Sequence, residues 1–248
     1  MTSRQRPQPR SRSRVASPRN VAKELVFLFD VDNTLLDNDR IQNDLFGHIS
    51  REFGRQARQR YLEIFEELRS QLGYADYLGA LERYRLEKLH DPRFLCVSNW
   101  LIEYPFARRL YPGALAVIKQ CRRWGQAAIL SDGDAVFQPR KVERSGLWRA
   151  FAGNVMIFIH KEQELECVEQ LYPVKHYVMV DDKLRLLEAI RNIWKERVTT
   201  VFVRQGHYAR DRKAIADYRP ADISIRRIAD LLQMKRTDFL GARAEVQS

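Results

Sequence analysis

The feature that most constrains this chain is an alternation of short apolar runs with helical stretches. WGQAAILSD, GNVMIFIHK, KHYVMVDDK and RVTTVFVRQG each hold an apolar run too short for an ordinary helix, and ADISI is a candidate fifth. Residues 113–124, 135–145, 162–171 and 183–195, between or beside them, have helical character. Strands that alternate with helices specify a mostly parallel sheet covered on both faces, an α/β Rossmann-like class. One further run of this kind, ELVFLF at 24–29, stands well upstream. From it to the next strand the chain is helical almost throughout 40–109. YLEIFEELRSQLG ends on Gly73, ADYLGALERYRLEKLH stops before Asp91-Pro92, and a third segment covers 93–107. These are apolar positions at helical spacing, closed by the residues that end helices.

The expected organisation is therefore a core over 23–39 and 110–235, interrupted by a helical insert at 40–109, with tails at 1–22 and 236–248. The chain has 248 residues, of which 45% are hydrophobic and 30% charged, enough to bury a sizeable core. No apolar run is long enough to span a bilayer, so no membrane role is expected. The formal net charge is +11, but residues 1–23 hold six Arg, one Lys and no acid, which leaves +4 for the rest. That segment has no apolar central region and carries three prolines. It is expected to be a disordered basic tail rather than a secretory signal or an amphipathic transit peptide. A nucleic-acid contact is open only to this tail. Cys96, Cys121 and Cys167 form no CxxC pair, which suits free thiols in a reducing cytoplasm and excludes a zinc site of ordinary spacing.

In open parallel sheets, ligands bind beyond the carboxyl ends of the strands, and the polar residues gather there. LVFLFDVDNTLLDND carries Asp30, Asp32, Asp37 and Asp39 directly after an apolar run. Asp30 and Asp32 are two residues apart, so an extended backbone puts both on one side. Carboxylates that close need a cation, or a proton on one of them. Helix capping is the alternative, and it fits Asp37 and Asp39, which precede the first insert helix. Ser131 ends the next strand, followed by Asp132-Gly133 and a helix start, a common form of phosphate seat. Lys161 follows the third strand, with Lys141, mid-helix, as a rival. Asp181 and Asp182 end the fourth, where adjacent acids need a counterion and offer oxygen ligands to a hard metal. Tyr74, Tyr77, Arg83 and Arg85 in the insert are candidate substrate selectors, though an amphipathic helix accounts for each alone. His160 and His176 are read as structural.

Taken together and in order, DVDNT, Ser131, Lys161 and Asp181-Asp182 resemble the four motifs of the haloacid dehalogenase-like hydrolase superfamily. The resemblance covers residues 24 to about 232, with the insert as a helical cap and LYPGALAVIKQCRRWG as the return from cap to core. It implies a phosphatase acting on a small phosphorylated metabolite. Asp30 would be the nucleophile that forms an aspartyl-phosphate, and Asp32 the acid and then the base. Thr34, Ser131, Asp132 and Lys161 would lie about the phosphate. Asp30, Asp32 through its carbonyl, Asp181 and Asp182 would hold Mg²⁺. The family's dehalogenases lack an acid at the position of Asp32. Two departures stand out. Asp132 takes a place where many relatives have Asn, and Leu186 and Leu187 stand where a further acid is common. A phosphomutase with the same nucleophile, or a non-catalytic binding protein of the same fold, are the alternatives.

Overall fold

A computed structural model describes residues 24–240; the expected tail at 1–22 and most of the one at 236–248 lie outside them. Six strands form one sheet: β1 (Leu25–Phe29), β2 (Gln126–Asp132), β3 (Val155–Phe158), β4 (His176–Asp181), β5 (Val198–Val203) and β6 (Ile223–Ile225). Their order is β3-β2-β1-β4-β5-β6, and every neighbouring pair is parallel. The chain builds outward from β1 to β3, then crosses back to start the other half at β4. The crevice at this reversal opens between the ends of β1 and β4. Phe29 pairs with Val180 in register, which brings Asp30 beside Asp181.

The pleat of β1 explains its unbroken apolar run. Leu25, Phe27 and Phe29 enter one core, and Val26 and Leu28 the other. All five are fully buried, each contributing about 1.5–3 kcal/mol. The first core is closed by α5 (Ala114–Trp124) through Val117, Ile118 and Cys121, and by α6 (Phe137–Arg144) and α7 (Leu147–Ala150) through Phe137, Val142 and Leu147. The second is closed by α8 (Leu165–Leu171) and α9 (Leu184–Trp194) through Val168, Leu187, Ile190 and Trp194. Packing continues past the expected boundary at 235. Phe239 is fully buried, lies edge-on to Phe27 at 5.2 Å, and accepts a hydrogen bond from Thr199 Oγ1 at 2.8 Å through its carbonyl.

The insert is α1 (Asn38–Phe53), α2 (Arg55–Leu72), α3 (Tyr77–Leu86) and α4 (Arg93–Ile102). α2 buries Tyr61, Ile64, Phe65 and Leu68, one helical stripe, and Tyr77 of α3 stacks on Phe65 at 4.9 Å. α3 ends at Leu86 rather than running on to His90. Leu86 to His90 are all exposed, so further turns would bury nothing. α2 stops at Gly73, whose φ of 79° is left-handed; a Cβ there would lie 2.4 Å from His160 Cε1 of the core. Only glycine meets both demands. The chain enters and leaves the insert side by side, with Asp37 N–H donating to the Arg109 carbonyl at 2.8 Å and Tyr111 N–H to Leu35 at 2.9 Å. Among the described residues no helix is long and apolar enough to cross a membrane.

Candidate active site

The first motif folds as a tight loop off β1. The Val31 carbonyl accepts the N–H groups of Leu35 and Leu36, both at 3.0 Å. Asn33 takes the left-handed φ of 59° that the turn needs, which Asn tolerates better than most residues. Its Oδ1 accepts the N–H groups of Asn38 at 3.1 Å and Asp39 at 3.2 Å, seating the loop on the start of α1. Asp37 caps α1 as expected, accepting from Arg40 N–H at 3.0 Å. Asp39 does not. It lies inside the first turn, where it accepts from Asn33 Nδ2 at 2.9 Å and contacts His207 Nδ1 at 2.6 Å. Burial pushes its carboxyl up, but His207 and Asn33 more than offset this and hold it below the usual value.

Asp30 stands at the strand end with Lys161 Nζ 2.6 Å from its Oδ1, and Ser131 Oγ donates to the same oxygen at 3.4 Å. Lys161 is fully buried, pairs also with Asp181 Oδ2 at 2.6 Å, and donates to the Leu130 carbonyl at 3.3 Å. Burial works against its charge, but Asp181, Asp30 and Asp132 hold it protonated, above the ordinary lysine value. Asp132 accepts the Lys161 backbone N–H at 2.7 Å, so this departure from the family pattern anchors the Lys161 loop. Burial pushes its carboxyl up, against the pull of Lys161. Gln138 Nε2 donates to Ser131 Oγ at 3.0 Å.

Asp32 is held separately. Lys141 Nζ donates to both its oxygens, at 2.8 and 2.9 Å, and to Asn38 Oδ1 at 3.1 Å. Asn38 Nδ2 in turn donates to Tyr77 OH at 3.0 Å. The two rival lysines thus both belong to the site, Lys161 on Asp30 and Lys141 on Asp32.

Asp30, Asp181 and Asp182 each offer one oxygen within 4.8 Å of the others. Asp182 is 1% exposed, yet neither of its carboxylate oxygens has a hydrogen-bond partner. Orphaned oxygens in a buried cluster suit a hard divalent cation. Burial is the main cause that pushes the Asp182 carboxyl well above its usual value. Lys183 opposes it, and the charges of Asp181 and Asp30 add to it. Asp181 is raised to about 6, chiefly by burial and against the pull of Lys161.

Asp32, Asn33, Asn38, Asp132, Lys183 and Tyr208 are among the residues that line a cavity of about 70 Å³, closed from the insert side by Phe65, Arg69, Tyr74 and Tyr77. The structure brings Asp30, Asp32, Ser131, Asp132, Lys161, Asp181 and Asp182 together. Thr34 is adjacent in the loop, but it is fully buried, its Oγ1 has no partner, and it is not in the cavity wall. Sequence reasoning missed Asn38, Gln138, Lys183 and His207. Of these only Lys183, directly after the paired acids, carried a local signal. Of the insert candidates, Tyr74 and Tyr77 reach the cavity; Arg83 instead donates to Gln71 and Arg85 to Glu82 on exposed surface. His176 is structural, against Thr199 Oγ1 at 2.9 Å.

A parallel sheet with acids at the β1–β4 reversal, a lysine on the first of them and a helical insert after β1 define a class of hydrolase. The family model for haloacid dehalogenase-like hydrolases matches residues 25–193. A crystal structure from Burkholderia xenovorans LB400, described as a haloacid dehalogenase-like hydrolase, is 58% identical. The match covers 86% of this chain and 99% of that one, with a TM-score of 0.82. The chain belongs to the haloacid dehalogenase-like hydrolase family. At 14% identity the fold is shared with the HAD hydrolase YfnB of Bacillus subtilis bound to magnesium (85% and 98% covered, TM-score 0.58). At 20% identity it is shared with the L-2-haloacid dehalogenase of Xanthobacter autotrophicus (84% and 96% covered, TM-score 0.54). Comparison with curated protein sequences finds no match.

Proposed function

We propose that this hydrolase is a Mg²⁺-dependent phosphatase acting on a small phosphorylated metabolite through an aspartyl-phosphate on Asp30. The observation that carries this reading is Asp32, a carboxylate in the cavity wall two residues from Asp30. A halide leaves as a stable anion and needs no proton. An alkoxide leaving from phosphorus does need a proton, and an acid placed there supplies it.

In the first step Asp30 attacks phosphorus and the P–O bond to the leaving group breaks, with the proton of Asp32 passing to the leaving oxygen. In the second, Asp32 takes a proton from water. That water attacks phosphorus, the bond to Asp30 breaks, and phosphate departs. Lys161 orients Asp30 through a 2.6 Å contact with its Oδ1. Its longest hydrogen bond, to Leu130, is the one it can yield to a phosphoryl oxygen. Ser131 is steadied by Gln138 for the same purpose. Asp30, Asp181, Asp182 and the Asp32 carbonyl would hold Mg²⁺. When bound, the ion offsets repulsion between phosphate and these carboxylates. The insert serves as a cap, and the small volume beneath it suits a metabolite better than a macromolecule. Free cysteines, with Cys96 exposed, fit a reducing cytoplasm.

The test is a panel of phosphomonoesters and 2-haloacids, assayed for phosphate and halide release with Mg²⁺ or with chelator. Phosphate release that needs Mg²⁺ is expected. Halide release without phosphate release, or full activity in chelator, would overturn the reading; phosphate migration within a substrate would replace it with a mutase.

A further inference from the structure

Lys141 is a buried cation of the site to which the proposed chemistry gives no task. It is a lysine at 1% exposure in the middle of a core helix, and a buried ammonium is costly unless fully paired. Its three N–H donors are all used: two on Asp32 and one on Asn38. Its ammonium also lies 5.2 Å from the Phe137 ring centre and 6.0 Å from that of Tyr77. It does not line the cavity, whereas Asp32 and Asn38 do. Lys141 therefore has no donor for substrate, and it meets the cavity wall through two hydrogen bonds to Asp32 and one to Asn38.

Two further contacts give the arrangement a direction. Gln138 and Lys141 lie three residues apart, on one face of α6. Gln138 holds Ser131 and Lys141 holds Asp32, so one rigid helix aims a phosphate-side hydroxyl and the acid–base carboxylate together. Asn38, the second partner of Lys141, is the first residue of α1 and is bonded to Tyr77 OH of α3. The carboxylate is thus tied by one ammonium both to the core and to two helices of the insert.

From this geometry, and resting on the phosphatase reading, we propose that Lys141 is the positioning residue for Asp32. It fixes both carboxylate oxygens so that one proton acceptor and donor faces the leaving group and the attacking water. It is not a phosphate ligand and not a mere packing group. Such a residue acts on rate rather than on binding, and only through Asp32.

The experiment is a double-mutant cycle on the full-length protein with Mg²⁺, using an alkyl phosphate and a nitrophenyl phosphate. Lys141→Met is expected to lower kcat on the alkyl ester by about 10²-fold, the scale of a lost acid–base group, with KM little changed. The burst of nitrophenol should fall far less, because that leaving group needs no proton. Lys141→Gln keeps a donor and should recover part of the loss; it also replaces Lys141→Met if the latter does not fold by circular dichroism. In an Asp32→Asn background, Lys141→Met should cost nothing further. Equal losses in the first step on both esters, a change in KM alone, or losses that multiply with those of Asp32→Asn would overturn the inference while leaving the phosphatase intact. A wild-type protein that releases no phosphate from either ester would overturn both.

Discussion

Asp182→Asn should make the metal-free protein more stable, and increasingly so as pH rises. The wild-type side chain buries two carboxylate oxygens without a hydrogen bond, among the like charges of Asp30 and Asp181. Its carboxyl is held well above the usual value in the folded state and at the ordinary value near 4 once unfolded. The sign follows. The stability this group contributes is fully present below the unfolded value and is lost as pH rises toward the folded one. Over that window the loss is about 1.4 kcal/mol per pH unit. As pH rises through that window, wild type should lose stability that Asp182→Asn does not lose. In melting temperature that is roughly 2–4 °C per kcal/mol for a chain of this size.

Urea unfolding of both proteins in chelator, at several pH values, measures the difference. Excess Mg²⁺ should then reverse the order at neutral pH. A ligand a hundredfold above its Kd adds about 2.7 kcal/mol to the form that binds it, and Asp182→Asn lacks the charge to bind well. A gap between the two proteins that is flat in pH, or a wild type that gains nothing from Mg²⁺, would refute the metal-cluster reasoning.

Gly73→Ala should cost about 1–2 kcal/mol of stability by chemical denaturation, because it combines a left-handed φ with a clash on His160. Deleting residues 1–20 should leave hydrolysis of a small phosphate ester nearly unchanged; a loss of about tenfold, or about 1.4 kcal/mol in barrier, would tie that segment to the site. Asp32→Ala should give a burst of nitrophenol from the aryl ester followed by slow turnover, and little first-step activity on an alkyl ester; equal loss on both without a burst would remove the acid–base role.

The parallel sheet and the strand-end placement of Asp30, Ser131, Lys161 and Asp181-Asp182 were legible because each follows a short buried run. The ends of such runs in a parallel sheet share one edge. What was illegible depends on contacts distant in sequence. Lys141 reaches Asp32 across 109 residues, and His207 reaches Asp39 across 168. For Lys141 a faint signal existed. In FQPRKVER it lies four residues after Phe137 and one before Val142, on the stripe that α6 buries, and a lysine on a buried stripe asks for a carboxylate. Asp39 looked like a cap because it sits just ahead of the apolar repeat; only the fold shows that the cap is Asp37, with Asn33 beside it.

The most direct test of the account is the mass of the peptide that contains residue 30, released by pepsin at acid pH. Asp32→Ala would be mixed with nitrophenyl phosphate and Mg²⁺ and quenched in acid during the slow phase. With water activation disabled, a phosphoryl group on the Asp30 carboxylate is expected, absent when Asp30 is changed to Asn. An unmodified Asp30 while nitrophenol is still released, or the phosphoryl group on Ser131 instead, would contradict it.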